Sequence, residues 1–365
     1  MTRHRKSDPK WRSEAASEVM AACVPRLGLG HRVLVAGEAA PVLREALTAA
    51  GCEVALWLRR ASASGAATAW TDNAHCGDIC SAALLRLPRA KDELDMMLHA
   101  AAAQVCAGGI ITVYGANDEG IRSAVTRIEP LLGPAETVDQ RAHCRVIAAR
   151  RPADIAGLRS RLEDWRLTTR IAIGGAEREW VSYPGVFAKG GLDDGTRLLV
   201  GTLADLPPPD GVLDYACGTG VIAAHVHMHF PQAHIEMADW DALAVFAAGQ
   251  NVPGAGTRIV AALSDLGTST YDLIVSNPPI HDGKSEDYTV LGQLIAQSPA
   301  RLTRKGHLVM VVQRRVPAAE WLEAAFGRVE RAAEDTRFTV WRASQPKSKS
   351  TKGQKTERRQ VPARP

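Results

Sequence analysis

Apolar and polar positions along this 365-residue chain follow a pattern that occurs twice. In the first half, short apolar runs at 32–36 (R-V-L-V-A), 53–58 (E-V-A-L-W-L) and 82–87 (A-A-L-L-R-L) read as strands. A helical stretch at 91–106 follows, with Leu94, Met97, Leu98, Ala101 and Val105 on one face. It stops at Ala107-Gly108-Gly109, a helix C-cap signature, ahead of a strand at 110–114. The second half has strands at 212–214, 234–238, 258–262 and 273–276, then a helix at 288–302. Lys305-Gly306-His307 and a strand at 308–313 complete it. Such strand–helix alternation predicts parallel sheets wound on both faces. The expected fold is therefore α/β, with two doubly wound, Rossmann-like domains in tandem. The expected limits are a tail over 1–13, a first domain over 14–160, a second over 161–343 and a tail over 344–365.

Composition narrows the class. A chain of 365 residues exceeds one ordinary core and suits two domains of roughly 150–180 residues. No apolar run approaches the 18–20 residues of a membrane span, and the basic N-terminus lacks a signal-peptide pattern. No membrane partner and a cytoplasmic location are expected. The seven cysteines are scattered without a C-x-x-C pair. His75-Cys76 with Cys80 lacks two further spaced ligands, so reduced thiols and no metal are expected. The net charge of +4 conceals an asymmetry: residues 344–365 carry +6, residues 1–12 carry +4, and the body between them carries −6. The basic tails have no apolar periodicity and are expected to be disordered arms that gather phosphates.

The chemistry is concentrated in the second series. Residues 211–223 read G-V-L-D-Y-A-C-G-T-G-V-I-A. A buried strand ends at Asp214, and Cys217-Gly218-Thr219-Gly220 turns into a helix beginning near Val221. Glycine serves where backbone approaches a ligand closely or adopts positive φ, and the spacing departs from the G-x-G-x-x-G of dinucleotide folds. The next strand closes on Asp239, 25 positions after Asp214, where a carboxylate can take two ribose hydroxyls. Trp240 beside it is suited to cover an adenine, and Asp265 after the third strand to accept from an adenine amino group. Either acid equally suits a helix cap. Residues 271–280, Y-D-L-I-V-S-N-P-P-I, run from an apolar strand into Asn277-Pro278-Pro279. Pro279 drives Pro278 out of the α region, and both prolines have fixed φ and no N–H. The Asn277 side-chain oxygen and the Pro278 carbonyl can then accept from one exocyclic –NH₂, drawing its lone pair out of conjugation. The first half has only Gly37-Glu38-Ala39-Ala40-Pro41 and Pro88-Arg89-Ala90 at the matching places. It lacks both loop and clamp, and reads as a structural or RNA-docking domain.

The turn at 214–220 resembles motif I of the class I S-adenosylmethionine-dependent methyltransferases, where the loop bends around the cofactor's methionine half. Further segments extend the likeness: Y-G-A-N-D-E-G-I-R-S-A (114–124), P-G-V-F (184–187) with G-L-D (191–193), and S-N-P-P-I-H-D-G (276–283). Together they resemble the ribosomal RNA guanine-N2 methyltransferases of the small-subunit (RsmC-like) type, with the large-subunit (RlmG-like) enzymes close behind. The resemblance spans nearly all of the chain between the tails. It implies two tandem methyltransferase domains, the N-terminal one degenerate, in a monomer. It implies S-adenosyl-L-methionine as cofactor, and ribosomal RNA or the small ribosomal subunit as partner. Phe187 and Asp193 would lie over the methionine end, with Asp214, Ala216, Cys217, Gly218, Gly220, Asp239, Trp240, Asp265 and Asn277 in the cofactor site. Asn277, Pro278 and Pro279 would form the catalytic slot, and Ile280 and His281 would meet the target base. Two positions depart from the family. Ala216 stands where the first loop glycine is usual, and Ile280 stands where an aromatic residue usually stacks on the base. Such stacking contributes about 1–3 kcal/mol, of which Ile supplies the apolar part; His281 or Trp240 can compensate.

The function expected from these residues is methylation of the exocyclic N2 of a guanine in ribosomal RNA, of the 16S type, by in-line transfer. The base must be unpaired or flipped out to reach the slot. A 23S guanine, adenine N6 and a protein glutamine amide present the same planar –NH₂ and remain open as acceptors. So does a different class, a non-catalytic RNA-binding or ribosome-assembly protein whose cofactor site has decayed.

Overall fold

The computed structural model describes residues 9–38, 40–62, 67–70, 80–187, 191–279, 281–282, 285–286 and 288–347. The first half runs α1 (Pro9–Leu27), β1 (Arg32–Ala36), α2 (Pro41–Ala49), β2 (Glu53–Trp57), β3 (Cys80–Arg86), α3 (Lys91–Gln104), β4 (Val105–Ala116), α4 (Val125–Leu132), β5 (Ala135–Arg141) and β6 (Cys144–Arg150). An antiparallel hairpin follows, β7 (Leu167–Ile173) and β8 (Ala176–Ser182). The second half runs α5 (Asp194–Val200), β9 (Gly211–Tyr215), α6 (Val221–His229), β10 (His234–Asp239), α7 (Ala242–Asn251), β11 (Gly256–Ile259) and β12 (Tyr271–Ser276). The short pair β13 (His281–Asp282) and β14 (Ser285–Glu286) leads to α8 (Thr289–Gln297), β15 (Leu302–Gln313), α9 (Ala318–Ala325), β16 (Phe326–Glu334) and β17 (Phe338–Pro346).

The two sheets have matching orders, β2-β1-β3-β4-β6-β5 and β11-β10-β9-β12-β15-β17-β16. Aligning them pairs β1 with β9, β2 with β10, β3 with β12 and β4 with β15. The central strands are apolar on both faces because helices cover both; β1 and β9 each bury their last four residues. The sheets are mixed rather than wholly parallel: β5 and β6 in the first, and β16 and β17 in the second, pair antiparallel.

Several boundaries differ from the sequence reading. Helix α3 ends at Gln104, and Gly108 and Gly109 lie inside β4, not at a helix C-cap. The strand shifts register there, and a Cβ on Gly109 would sit 2.5 Å from Val105 Cγ1 and 2.6 Å from the Ser81 carbonyl. Glycine serves close backbone approach at that point. Lys305-Gly306-His307 likewise falls within β15, and α8 is shorter than 288–302. Helix α1 includes Pro9–Ser13 of the expected 1–13 tail, and β17 continues to Pro346, past residue 343. Most of the C-terminal tail lies outside the described residues.

One core crosses the middle of the chain. Leu162, Trp165, Val181, Tyr183, Val186, Leu243, Ala244 and Ala247 pack into the same cluster as Trp57, Leu94, Leu98 and Ile147 of the first half. The β7–β8 hairpin ties the second domain's loop to this seam. Buried Trp180 donates its indole N–H to Thr219 Oγ1 at 2.9 Å. Asn251 accepts from the Val181 N–H and donates to the Val181 and Thr219 carbonyls. Trp180→Phe leaves the buried Thr219 hydroxyl without that donor, at a cost of about 1–3 kcal/mol. Urea unfolding measures it, and a loss below about 0.5 kcal/mol would contradict this reading of the hairpin.

Candidate active site

The β-sheet of the second half reverses its winding between β9 and β12, and ligands of open α/β sheets bind at the carboxyl ends of strands at such a switch point. Tyr215 pairs with Ala238 on one side and Ser276 on the other. The loops after β9, β10 and β12 are therefore neighbours, and Ala216, Asp239 and Asn277 meet there.

The loop after β9 needs three left-handed residues in five positions: Ala216 (φ 59°), Gly218 (φ 53°) and Gly220 (φ 85°). The two glycines serve different ends. A Cβ on Gly220 would meet Met237 Sδ at 3.0 Å and Val252 Cγ2 at 3.1 Å, so this position lets α6 close on the sheet. A Cβ on Gly218 would meet nothing within 4 Å, so the backbone there borders open space. Asp214 is fully buried; one carboxylate oxygen accepts from the Ala223 N–H at 2.9 Å and the other has no partner. Burial pushes its pKa up to about 8. Cys217 is buried beside it, and burial together with the charges of Asp239 and Asp214 holds the thiol well above its ordinary pKa, so it is no nucleophile.

At the end of β10, Asp239 Oδ2 accepts from the Gly218 N–H at 2.9 Å and Oδ1 from the Asp241 N–H at 3.0 Å. Burial raises its pKa to about 6. Trp240 next to it is half exposed, and the Arg60 guanidinium carbon lies 6.0 Å from its ring centre. Asp265 is exposed, and its Oδ2 accepts from the Ala261 and Ala262 N–H groups, capping the single turn at Leu263–Leu266. Phe187 is 70% exposed.

After β12, Ser276 anchors the strand end by donating to the Tyr215 carbonyl at 2.7 Å. Asn277 is half-buried, Pro278 buried and Pro279 exposed. The Asn277 amide nitrogen donates toward Asp193 Oδ2 (3.2 Å), Asp193 Oδ1 (3.3 Å) and Thr196 Oγ1 (2.9 Å). A carboxylate only accepts, so the nitrogen must face it and the Asn277 Oδ1 must point the other way. Asp193 also caps α5 through the Gly195 and Thr196 N–H groups and accepts from the Thr196 hydroxyl. Ile280 lies outside the described residues, as does the side chain of His281, whose backbone belongs to β13.

The first half is built differently at the matching place. Glu38, after β1, accepts from Ser13, Ser17 and Tyr114, and Arg86 at the end of β3 pairs with Glu119 at 2.6 Å and Glu38 at 3.6 Å. An ionic cluster roofed by α1 occupies the space beyond its strand ends. Among the described residues, no group of three or more His, Cys, Asp or Glu side chains is placed to hold a metal, and no helix is long and apolar enough to cross a membrane.

Thr196, Asn251 and Trp180 were not singled out in the sequence, since each acts through a partner 32 to 81 positions away.

Fold and site together define a methyltransferase with one working domain of two. Residues 177–342 match the methyltransferase small domain, and residues 27–166 match the methyltransferase small domain N-terminal region. A ribosomal RNA small subunit methyltransferase C from Alteromonas mediterranea is 34% identical over 265 residues, 72% of either chain. One from Chromohalobacter salexigens is 34% identical over 267 residues, 72% of this chain and 77% of that one. This chain belongs to the ribosomal RNA small subunit methyltransferase C family. Its fold is that of the T. thermophilus 16S rRNA N2 G1207 methyltransferase solved with AdoMet and guanosine (TM-score 0.71, 20% identity, 91% of this chain and 92% of that one).

Ala216 holds a conformation that costs a non-glycine residue about 1 kcal/mol. Ala216→Gly removes that cost, less the extra freedom glycine has when unfolded. A net stabilisation of up to about 0.6 kcal/mol is expected in denaturant unfolding; a destabilised variant would contradict the strain.

Proposed function

We propose that this enzyme transfers a methyl group from S-adenosylmethionine to the exocyclic N2 of a guanine in small-subunit ribosomal RNA. The observation that carries the reading is the orientation of Asn277. With its amide nitrogen committed to Asp193 and Thr196, its oxygen is left to accept from the substrate. The Pro278 carbonyl, bonded to the Pro279 nitrogen that has no N–H, offers a second acceptor. Two acceptors on one amine turn its hydrogens aside and free its lone pair from the ring. Holding a nucleophile in line is worth several kcal/mol on its own. Asp193 already takes four donors, so it serves to orient rather than to act as a base.

The residues present fit the cofactor. The open space before Gly218 and the orphaned Asp214 oxygen suit its methionine half. The Asp239 carboxylate beside the loop, with half-exposed Trp240, suits its nucleoside half. When bound, S-adenosylmethionine supplies an electrophilic methyl carbon. Asp239 is assigned to the ribose hydroxyls, Trp240 and Asp265 to the adenine, and Phe187 to the mouth of the slot. The buried Cys217 thiol and Gly220 shape the loop from behind.

Two outcomes test the assignments. Asn277→Ala is expected to lower turnover on small subunits or 16S RNA by about 10²–10³-fold, with cofactor affinity within a few-fold. The readout is N2-methylguanosine in digested RNA by mass spectrometry. Turnover above about a tenth of wild type, or a methylated adenine instead, would refute the reading. Both Asp239 oxygens are free to accept only when the carboxyl is ionised, and its pKa of about 6 places the change there. Cofactor affinity is expected to fall as pH drops below 6, by up to about tenfold per unit. Asp239→Asn should flatten that limb, and an unaltered profile in the variant would move the ribose contact elsewhere.

A further inference from the structure

The most heavily charged buried cluster of the described residues lies outside the slot, where the two halves meet. Arg59, just past β2, is 5% exposed. Its Nε donates to Asp241 Oδ1 (2.8 Å) and Oδ2 (3.0 Å), and its Nη2 to Asp241 Oδ2 (2.7 Å). Its Nη1 donates to the Pro184 carbonyl at 2.7 Å and lies 3.2 Å from Glu93 Oε1. Arg60 takes both oxygens of Glu93, at 2.9 and 3.1 Å. Two cations and two anions thus interlock. Arg60 stays partly exposed, but burying Arg59, Glu93 and Asp241 is expensive and seldom justified by stability alone, so the arrangement calls for another purpose.

That geometry converges on the cofactor loop. The backbones of Arg60 and Asp241 form an antiparallel bridge: the Ala61 N–H donates to the Trp240 carbonyl at 2.7 Å, and the Ala242 N–H to the Arg59 carbonyl at 2.9 Å. The Asp241 carboxylate caps α7 through Leu243 and Ala244, and the Asp241 N–H holds Asp239, which in turn holds Gly218. On its other side Arg59 fixes Pro184. Gly185, at φ 76°, has no room for a Cβ, which would lie 2.6 Å from Glu93 Oε2 and 2.8 Å from Arg59 Nη1. The glycine of the P-G-V-F segment therefore answers to this cluster. One side chain of the first half ties down both segments that carry Asp239, Trp240 and Phe187. The tie comes from the strand exit that matches β10 by topology. In the first half that exit has Arg59 and Arg60 and no acidic residue.

We infer that Arg59 is a positioning residue for cofactor binding, by which the first domain pre-orders the nucleoside loop of the second. The inference rests on the cofactor site proposed above. Without the tie, binding must order residues 239–242 itself, and affinity falls by that amount; once the cofactor is bound, the slot at Asn277 is unaffected.

The test uses the full chain in four forms: wild type, Arg59→Lys, Arg59→Met, and Arg59→Met with Asp241→Asn. The double variant leaves no buried charge unpaired at Asp241 and keeps an oxygen for the α7 cap. Calorimetry with S-adenosylmethionine and initial rates on small subunits give Kd, KM and kcat. The double variant is expected to raise Kd and KM for the cofactor about tenfold or more, with kcat at saturation and KM for RNA within about threefold. Lysine keeps the charge but not the fork, and should fall between it and wild type. A double variant within about twofold of wild-type Kd would overturn the inference, because Arg59 would then only neutralise Asp241. A loss of kcat at unchanged Kd would overturn it equally. Should the double variant not fold, Arg59→Lys decides alone: about threefold or more in Kd supports the role, and less than twofold overturns it. Wild type that binds no cofactor would instead sink the proposed function, and the inference with it.

Discussion

In the function proposed here, the catalytic half of this protein depends on which end of one amide faces the substrate. An asparagine can present a donor or an acceptor, and only the oxygen can hold an amine in a transferable pose. Asp193 removes the choice, since a carboxylate tolerates only the nitrogen of Asn277 against it. The same carboxylate caps α5 and takes the Thr196 hydroxyl. The helix start and the clamp are thus one hydrogen-bonded unit. The acid of the G-L-D segment is the one that fixes the Asn277 amide.

Duplication with divergence explains the rest. Both halves have the same strand order at the core, but the space beyond the first sheet is taken by Glu38, Arg86, Glu119 and α1. The loop after β2 in that half faces its neighbour, where Arg59 meets Asp241. A shared apolar core and the Arg59 cluster make the seam continuous from Trp57 to Ala247.

Much of this was legible in the sequence because it is local. The turn glycines, the Asn-Pro-Pro rigidity and the acid closing β10 are determined by neighbours in the chain, and each is found at its strand end. Ala216 stands where glycine is usual, and its positive φ appears only in the structure. What escaped depends on distance. The antiparallel strands β16 and β17 escaped because neither alternates: β17, between β15 and β16, buries Thr339, Val340 and Trp341 in succession, and the edge strand β16 is mostly uncovered. Gly108 and Gly109 have the composition of a helix stop but lie within a strand, where Gly109 is crowded by Ser81 and Gly108 takes a positive φ. Arg59 meets Asp241 across 182 positions, and nothing adjacent to either residue signals the pairing. Asp193 was placed at the cofactor from resemblance, and its grip on Asn277, 84 positions on, emerges only in three dimensions.

The direct measurement is a crystal structure of the chain with S-adenosylhomocysteine and guanosine. The account predicts the guanine N2 within about 3.2 Å of both Asn277 Oδ1 and the Pro278 carbonyl, with the Asn277 nitrogen still on Asp193. A guanine amine beyond about 4 Å from both acceptors, or an Asn277 turned so that its nitrogen faces the base, would contradict it.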